Sequence, residues 1–325
     1  MSPFSWGALA AVVATSACLT WAARIYALRQ QLLDQPGERR SHHVATPRGG
    51  GIAIVLTLLL AAGLAALNWP GQLHVVLPVC LGLVMVAGIG WWDDHRPLPA
   101  SSRLVVHVLA SAILAALVVR VGGSWLHAAL AFCLCVCLIN IWNFMDGING
   151  IATTQAITVA AAFACIVPWP FSLPALLLAL ACAGFLPFNF PRARIFMGDV
   201  GSGALGYALA CLAALAHLLV PINWLLLIVP FSAFVVDAGF TLMSRMLSGQ
   251  RWTQPHTQHV YQRAVKAGRS HALVTSLYLI VGLLSTAVLL LAAPLEPLQQ
   301  AGVAVAWWGA LSCLWWFLRM RLRNY

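Results

Sequence analysis

The sequence predicts an all-α, polytopic integral membrane protein, on the strength of its composition and of the length of its apolar runs. Of 325 residues, 62% are hydrophobic and only 8% charged, and the mean hydropathy is +0.88. Those values lie outside the range of soluble globular domains. A bilayer core takes about 20 apolar residues per helical span and leaves no backbone polar group unpaired, so helices or a closed barrel are the available structures. Long apolar runs without alternation select helices. Eleven spans are expected, near 4–27, 51–67, 73–91, 104–121, 125–142, 151–168, 172–189, 203–220, 222–243, 272–293 and 300–317. The first is too long, and too closely followed by others, for a cleaved signal peptide, and is expected to be retained. The whole of 1–325 reads as one membrane-embedded catalytic domain.

Orientation follows from the positive charges, which concentrate in cytoplasmic loops. Arg29, Arg39, Arg40 and Arg48 follow span one, Arg96 and Arg103 span three, and Arg192 and Arg194 span seven. Arg245, Arg251, Arg263, Lys266 and Arg269 follow span nine, and Arg319, Arg321 and Arg323 lie in the tail. Only Arg120 falls on the opposite side. The expected topology places the amino terminus outside and the carboxyl terminus in the cytoplasm. Seven of the eight acids (Asp34, Glu38, Asp93, Asp94, Asp146, Asp199, Asp237 and Glu296) lie on or near that same side. Carboxylates near hydrocarbon are costly, which makes the cytoplasmic loops the working surface. The net charge of +10 is dispersed over membrane-flanking loops and matches no nucleic-acid module, so nucleic acid is not an expected partner. Nine cysteines fall in apolar spans, and the alternation Cys133, Cys135, Cys137 points them in diverging directions on a helix. They indicate neither a disulfide framework nor a zinc site.

Five polar loops carry the candidate chemistry. In WWDDHRPLP, Asp93 and Asp94 close span three; adjacent carboxylates can hold a hard cation, or one can take a proton while its neighbour binds, although a solvated helix end reads the same way. In NIWNFMDGINGIA, Asn140, Asn143 and Asp146 recur every three residues, putting two amides and a carboxylate on one helix face before Gly147 and Gly150. In FPRARIFMGDVGSGALGY, Arg192 and Arg194 precede Asp199 and the Gly201-Ser202-Gly203 helix start, a corner suited to phosphate and metal. It is not a Walker A loop, which ends in Gly-Lys-Ser/Thr, and the arginines serve equally as interfacial anchors. Asp237, Arg245 and the cluster His256, Gln258, His259 form a composite suited to a diphosphate, a sugar or proton transfer. ERRSHHVATPRGGGIAI joins Arg40, His42 and Arg48 to a triple-glycine turn, which a lipid-headgroup anchor would also explain.

Taken in order, SHHVATPRGGG, WWDDHRPL, NIWNFMDGING, FMGDVGSGALG and PHTQH resemble the five cytoplasmic motifs of the polyprenyl-phosphate N-acetylhexosamine-1-phosphate transferases, a likeness that covers most of the chain. The resemblance implies transfer of a sugar 1-phosphate from a UDP-N-acetylhexosamine to undecaprenyl phosphate with release of UMP. It also implies Mg2+ or Mn2+ as cofactor and residence in the bacterial cytoplasmic (inner) membrane, with the active site facing the cytoplasm. By motif, Asp93 and Asp94 match the catalytic acidic pair and Asp199, with Asp94, the metal ligands. Asn143, Asp146, Asn149 and Arg194 match the nucleotide and diphosphate pocket, His256 and His259 the sugar and diphosphate loop, and Arg48 and His42 the acceptor-phosphate motif. Two positions depart from the pattern: Asn149 stands where many relatives have a second aspartate, and Gln258 interrupts the histidine cluster. The first departure and the QHVYQR stretch resemble the branch that initiates O-antigen and similar polysaccharides. N-acetylglucosamine, N-acetylfucosamine and N-acetylquinovosamine all remain open as sugars. Membrane lipids are further partners, and a homodimer is compatible with the sequence. The rival class is a transporter or flippase of a phosphorylated lipid or metabolite, which would place ionisable groups and broken helices near the midplane. Only Asp237 lies well inside an expected span.

Overall fold

The computed structural model describes residues 6–35, 44–250 and 256–323. It is a helical bundle: α1 (Trp6–Arg29), α2 (Ile52–Asn68), α3 (Leu73–His95), α4 (Ala100–Arg120), α5 (Trp125–Met145), α6 (Ile151–Ile166), α7 (Leu173–Asn189), α8 (Asp199–Leu219), α9 (Trp224–Leu227), α10 (Ser232–Leu247), α11 (Val260–Lys266), α12 (His271–Ala292) and α13 (Pro297–Arg321). Between α1 and α2 the strands β1 (Leu33–Asp34) and β2 (Thr46–Pro47) pair antiparallel, Leu33 opposite Pro47 and Asp34 opposite Thr46.

Among the described residues, eight segments are long and apolar enough to cross a membrane, namely 6–29, 70–95, 100–120, 125–145, 199–219, 224–247, 271–292 and 297–321. The shorter apolar helices α2, α6 and α7 fall where the remaining three expected spans lie. With 16 or 17 residues they measure about 25 Å at 1.5 Å per residue, somewhat less than the bilayer core of about 30 Å. Three boundaries differ from expectation in ways that matter. Helix α3 continues through Asp93 and Asp94 to His95, and α8 begins at Asp199 rather than near 203, so these acids are helical residues and not loop residues. The ninth span is interrupted by a 3-10 turn at Val229–Phe231 that holds Pro230, because proline removes an N–H and crowds the preceding turn.

Helix α8 is the buried axis of the site, packed between α3 and α5. Small residues permit backbone contact, as in membrane helix pairs generally. A Cβ on Gly90 would stand 2.4 Å from the Asp199 carbonyl oxygen, and one on Gly206 2.4 Å from that of Leu138. The cysteine alternation plays out as expected, with Cys135 buried and Cys133 and Cys137 exposed, all three free thiols.

At the same end of the bundle, Asp237 joins the histidine loop as an internal anchor. Only 2% exposed, it accepts hydrogen bonds from Val260 N at 2.9 Å and Tyr261 N at 3.4 Å, at the start of α11. It also accepts from Tyr278 Oη at 2.7 Å, Trp315 Nε1 at 3.1 Å and Thr241 Oγ1 at 3.3 Å. A buried carboxylate needs such partners, and here it receives them from α10, α11, α12 and α13 at once. Asp237→Ala strands several buried donors and is predicted to cost about 3 kcal/mol or more. Thermal unfolding of the detergent-solubilised protein reads this directly, and an unchanged midpoint would refute the anchoring role.

Candidate active site

A helix N-terminus leaves N–H groups without intrahelical partners, and α8 has no side chain of its own to cap them, because the preceding residue is Gly198. The cap comes from α3. Asp94 Oδ1 accepts from Asp199 N and Asp94 Oδ2 from Val200 N, each at 3.1 Å. Gly198 has φ +77°, and a Cβ there would meet Asp94 Oδ2 at 2.5 Å, so the glycine is required both by conformation and by this close approach. Asp94 is 2% exposed. Both of its carboxylate oxygens are thus engaged with backbone, which places it as the group that seats Asp199 rather than as one presented to solvent.

Arg103, in the first turn of α4, joins the acids. Its Nη1 donates to Asp93 Oδ2 at 3.0 Å and to Asp199 Oδ2. Asp93 Oδ1 accepts from Leu98 N at 2.6 Å. Arg103 is the functional residue that sequence reading missed, since by position it is one more interfacial arginine; its ten-residue separation from Asp93 is the only signal, and the helix start at Ala100 is what gives it meaning.

The triple-glycine segment reaches the same place by pairing with the chain before Asp199. Phe196 N donates to Pro47 O at 2.8 Å, Gly50 N to Phe196 O at 2.9 Å and Gly51 N to Met197 O at 2.8 Å. This holds Arg48 so that its Nη2 donates to the Asp94 carbonyl at the C-terminal end of α3, where positive charge is favoured. His42 lies outside the described residues.

The second motif contributes two of its expected residues. Asn143 Nδ2 donates to Ser202 Oγ at 3.1 Å, linking α5 to the first turn of α8. Asp146 caps the C-terminal end of α5; enclosure by the surrounding loops, reinforced by the Asp199 and Asp94 carboxylates, holds its carboxyl well above the usual range. Asn140 bonds back to Val136 O at 2.7 Å. Asn149 is held by other partners: its Nδ2 donates to Pro191 O at 3.0 Å, and its carbonyl accepts from Thr275 Oγ1 at 2.8 Å. It braces the loop between the segment after α7 and helix α12. Asn189, unforeseen in the sequence, pins that loop from below by accepting from Gly150 N at 2.8 Å and donating to Ile195 O at 3.0 Å. Arg194 is exposed, with its guanidinium 5.9 Å from the Phe188 ring centroid; among the described residues it makes no ion pair with Asp199.

The histidine loop divides. His259 is 3% exposed, stacks on Tyr261 at 5.8 Å and has Nδ1 4.0 Å from Asp237 Oδ1. His256, half-buried, lies 4.8 Å from His259 between ring centroids. Burial first, then the neighbouring His259 and arginines, lower His256 to about 4, and burial lowers His259 as well. Both rings are neutral at pH 7 and offer N–H donors rather than charge. The loop is fastened to the Asp146 segment by Tyr261, whose hydroxyl donates to Phe144 O at 2.9 Å.

Asp93, Asp94, Asp146 and Asp199 therefore face two guanidinium groups, those of Arg48 and Arg103. The donor set is all oxygen and fits a hard divalent cation such as Mg2+ or Mn2+; among the described residues the Asp146 carboxylate makes no hydrogen bond or ion pair, unlike those of Asp93, Asp94 and Asp199. Among the described residues no three histidine, cysteine, aspartate or glutamate side chains converge on one point. Such an ion would draw its remaining ligands from phosphate and water, as Mg2+ commonly does.

Because the Asp146 carboxyl is raised in the folded protein, it binds a proton that the unfolded chain has released. This carboxyl's contribution to metal-free stability is then full below the unfolded carboxylate range, near about 4, and is lost as pH rises toward the raised value. Asp146→Asn should flatten this slope, raise the melting midpoint at neutral pH in EDTA and remove any stabilisation by Mg2+. A lower midpoint in EDTA would show that Asp146 is compensated.

Comparison with known proteins follows the same lines. The glycosyl transferase family 4 model matches residues 76–217. A decaprenyl-phosphate N-acetylglucosaminephosphotransferase of Mycobacterium leprae is 30% identical over 85% of this chain and 82% of its own length. A probable undecaprenyl-phosphate N-acetylglucosaminyl 1-phosphate transferase of Bacillus subtilis is 26% identical over 78% and 75%, and a phospho-N-acetylmuramoyl-pentapeptide-transferase of Synechococcus is 30% identical over 68% and 71%. With the acids, the capped α8 and the motif order already in place, the chain belongs to glycosyl transferase family 4, among the polyprenyl-phosphate N-acetylhexosamine-1-phosphate transferases.

Proposed function

We propose that the protein transfers an N-acetylhexosamine 1-phosphate from a UDP-sugar to undecaprenyl phosphate, releasing UMP and starting a lipid-linked envelope glycan of the O-antigen type. The observation that carries the reading is the junction of α3, α4 and α8, where Asp94 seats Asp199 and Arg103 bridges it to Asp93. The names of several relatives favour N-acetylglucosamine as the sugar. The positive-charge bias favours the cytoplasmic face of the inner membrane as the place of reaction.

The reaction brings a phosphate monoester to a diphosphate and expels a third anion, so neutralising charge is the main task. An oxygen of the lipid phosphate attacks the sugar-bound phosphorus, the bond from that phosphorus to the bridging oxygen of the diphosphate breaks, and UMP leaves carrying the bridging oxygen. A bound Mg2+ or Mn2+ would supply charge neutralisation at the phosphate oxygens, and Asp199 and Asp146 are the residues we assign to hold it. Arg103 keeps Asp93 and Asp199 together, Arg48 is the cation nearest the end of α3 for the acceptor phosphate, and neutral His256 donates to the diphosphate or sugar. The oxygens of Asp93 and Asp94 are already hydrogen-bonded, which supports direct attack by the lipid over an enzyme-bound intermediate. The transporter alternative loses its main support, because Asp237 is saturated by five donors and has no capacity for a moving ion.

The test is UMP release by purified protein with undecaprenyl phosphate, Mg2+ and, in parallel, several UDP-N-acetylhexosamines. Asp199→Asn is expected to reduce lipid- and metal-dependent release at least about 100-fold while remaining membrane-inserted; wild-type turnover in that variant would overturn its assignment. Arg103→Met, which leaves Asp93 and Asp199 unbridged, is expected to impair release by a comparable factor, and Arg103→Lys to recover part of it. Equal activity of the methionine variant and the wild type would remove Arg103 from the site.

A further inference from the structure

Helices α5 and α8 carry the candidate site at one end, and at the other end they bring two histidines together. His127, in the first turn of α5, and His217, in the last turn of α8, face each other with Nε2 atoms 2.9 Å apart. The rings meet edge to face, with centroids 4.3 Å apart at 86°. His217 Nδ1 is 3.1 Å from the Ile222 carbonyl oxygen. A carbonyl only accepts, so His217 carries its proton on Nδ1 and directs a lone pair from Nε2 at His127. His127 must then donate from Nε2, leaving its own Nδ1 as a bare acceptor, and that atom is buried without a partner. Trp224 closes the cluster over His217, with centroids 4.7 Å apart, and its Nε1 is also buried and unpartnered.

We propose that His127 and His217 form a site for a borderline divalent transition-metal ion, Zn2+ or Cu2+, that clamps α5 to α8 at the end remote from the acids. Imidazole suits these ions, and a metal-bound histidine usually donates its other N–H to a carbonyl or carboxylate, which the Ile222 carbonyl already provides for His217. Two nitrogens each about 2.0–2.1 Å from Zn2+ in tetrahedral geometry lie about 3.3 Å apart. The pair therefore needs to open by only about 0.4 Å, within reach of small side-chain rotations. On binding, His127 exchanges its Nε2 proton for one on Nδ1, so its buried Nδ1 changes from unsatisfied acceptor to unsatisfied donor and no proton is released. With two protein donors, the remaining positions belong to water, and the half-exposed setting of both histidines leaves room for it. The all-oxygen acidic site at the opposite end selects hard cations, so the two sites are separable by the metal used.

The experiment uses the full-length protein in detergent, after removal of any histidine tag, at pH 7.5 in EDTA-free buffer with the acidic site saturated by Mg2+. Adding Zn2+ is expected to raise the melting midpoint by several degrees, and Co2+ in its place to give a visible tetrahedral absorption band. His127→Gln and His217→Gln should each abolish both signals while keeping the Mg2+-dependent midpoint within a few degrees of wild type. Absence of a Zn2+ shift and of a Co2+ band in the wild type overturns the site, as does a full response in either glutamine variant.

Discussion

The seating of α8 on α3 is the contact on which the rest of the site depends. An α-helix that begins at a glycine offers uncapped N–H groups, and where the start of α8 packs against the buried Asp94 these groups need partners from the protein. Asp94 satisfies two of them from a neighbouring helix. This fixes where Asp199 emerges, and through Arg103 it fixes Asp93 as well. Because the backbones touch at Gly90, neither helix can slide without separating the carboxylate from its donors. The glycines near this junction thus set the positions of the helices.

The eleven apolar segments were legible because lipid makes hydropathy nearly equivalent to helix position. Helix ends were not. Asp93, Asp94 and Asp199 read as loop acids, since polar residues normally mark the end of a span; mutual pairing let the helices continue through them. The same limitation hid Arg103, whose role appears only when α4 is placed beside α3 and α8. Of the expected pocket, Asn143 and Asp146 lie by the acids, whereas Asn149, from the same stretch of polar sequence, bonds to Pro191 and Thr275, and Arg194, from the loop after α7, lies against Phe188. Periodicity assigns a residue to a face, but which face looks inward at a loop is decided by partners far along the chain: Asn189 for Gly150, and Thr275 and Pro191 for Asn149. His256 and His259, three residues apart, separate for a similar reason, because the anchor at Asp237 draws the start of α11 inward and takes His259 with it.

Two buried anionic centres in this bundle show opposite strategies. Asp237 is over-supplied with neutral donors and is therefore structural: every lone pair it can offer within its surroundings is answered by N–H or O–H. The cluster of Asp93, Asp94, Asp146 and Asp199 is under-supplied with charge. Two guanidinium groups do not balance four carboxylates in a partly desolvated setting, and at Asp146 burial together with the neighbouring carboxylates shows as a raised affinity for protons. A proton and a divalent cation are alternative answers to the same deficit.

That deficit also explains why the chemistry belongs at the ends of membrane helices. A cluster short of positive charge is expensive inside the bilayer and would be quenched by ions if fully exposed. At the helix ends, the site is dry enough for each charge to act strongly and open enough for phosphate to enter. In the proposed reaction a lipid acceptor brings its tail along the apolar bundle and its phosphate to this boundary, so that the membrane solvates one end of the substrate while Arg48 and the acids are the groups we assign to the other. The requirement that one molecule meet both environments is what ties a phosphoryl-transfer site to a protein so hydrophobic.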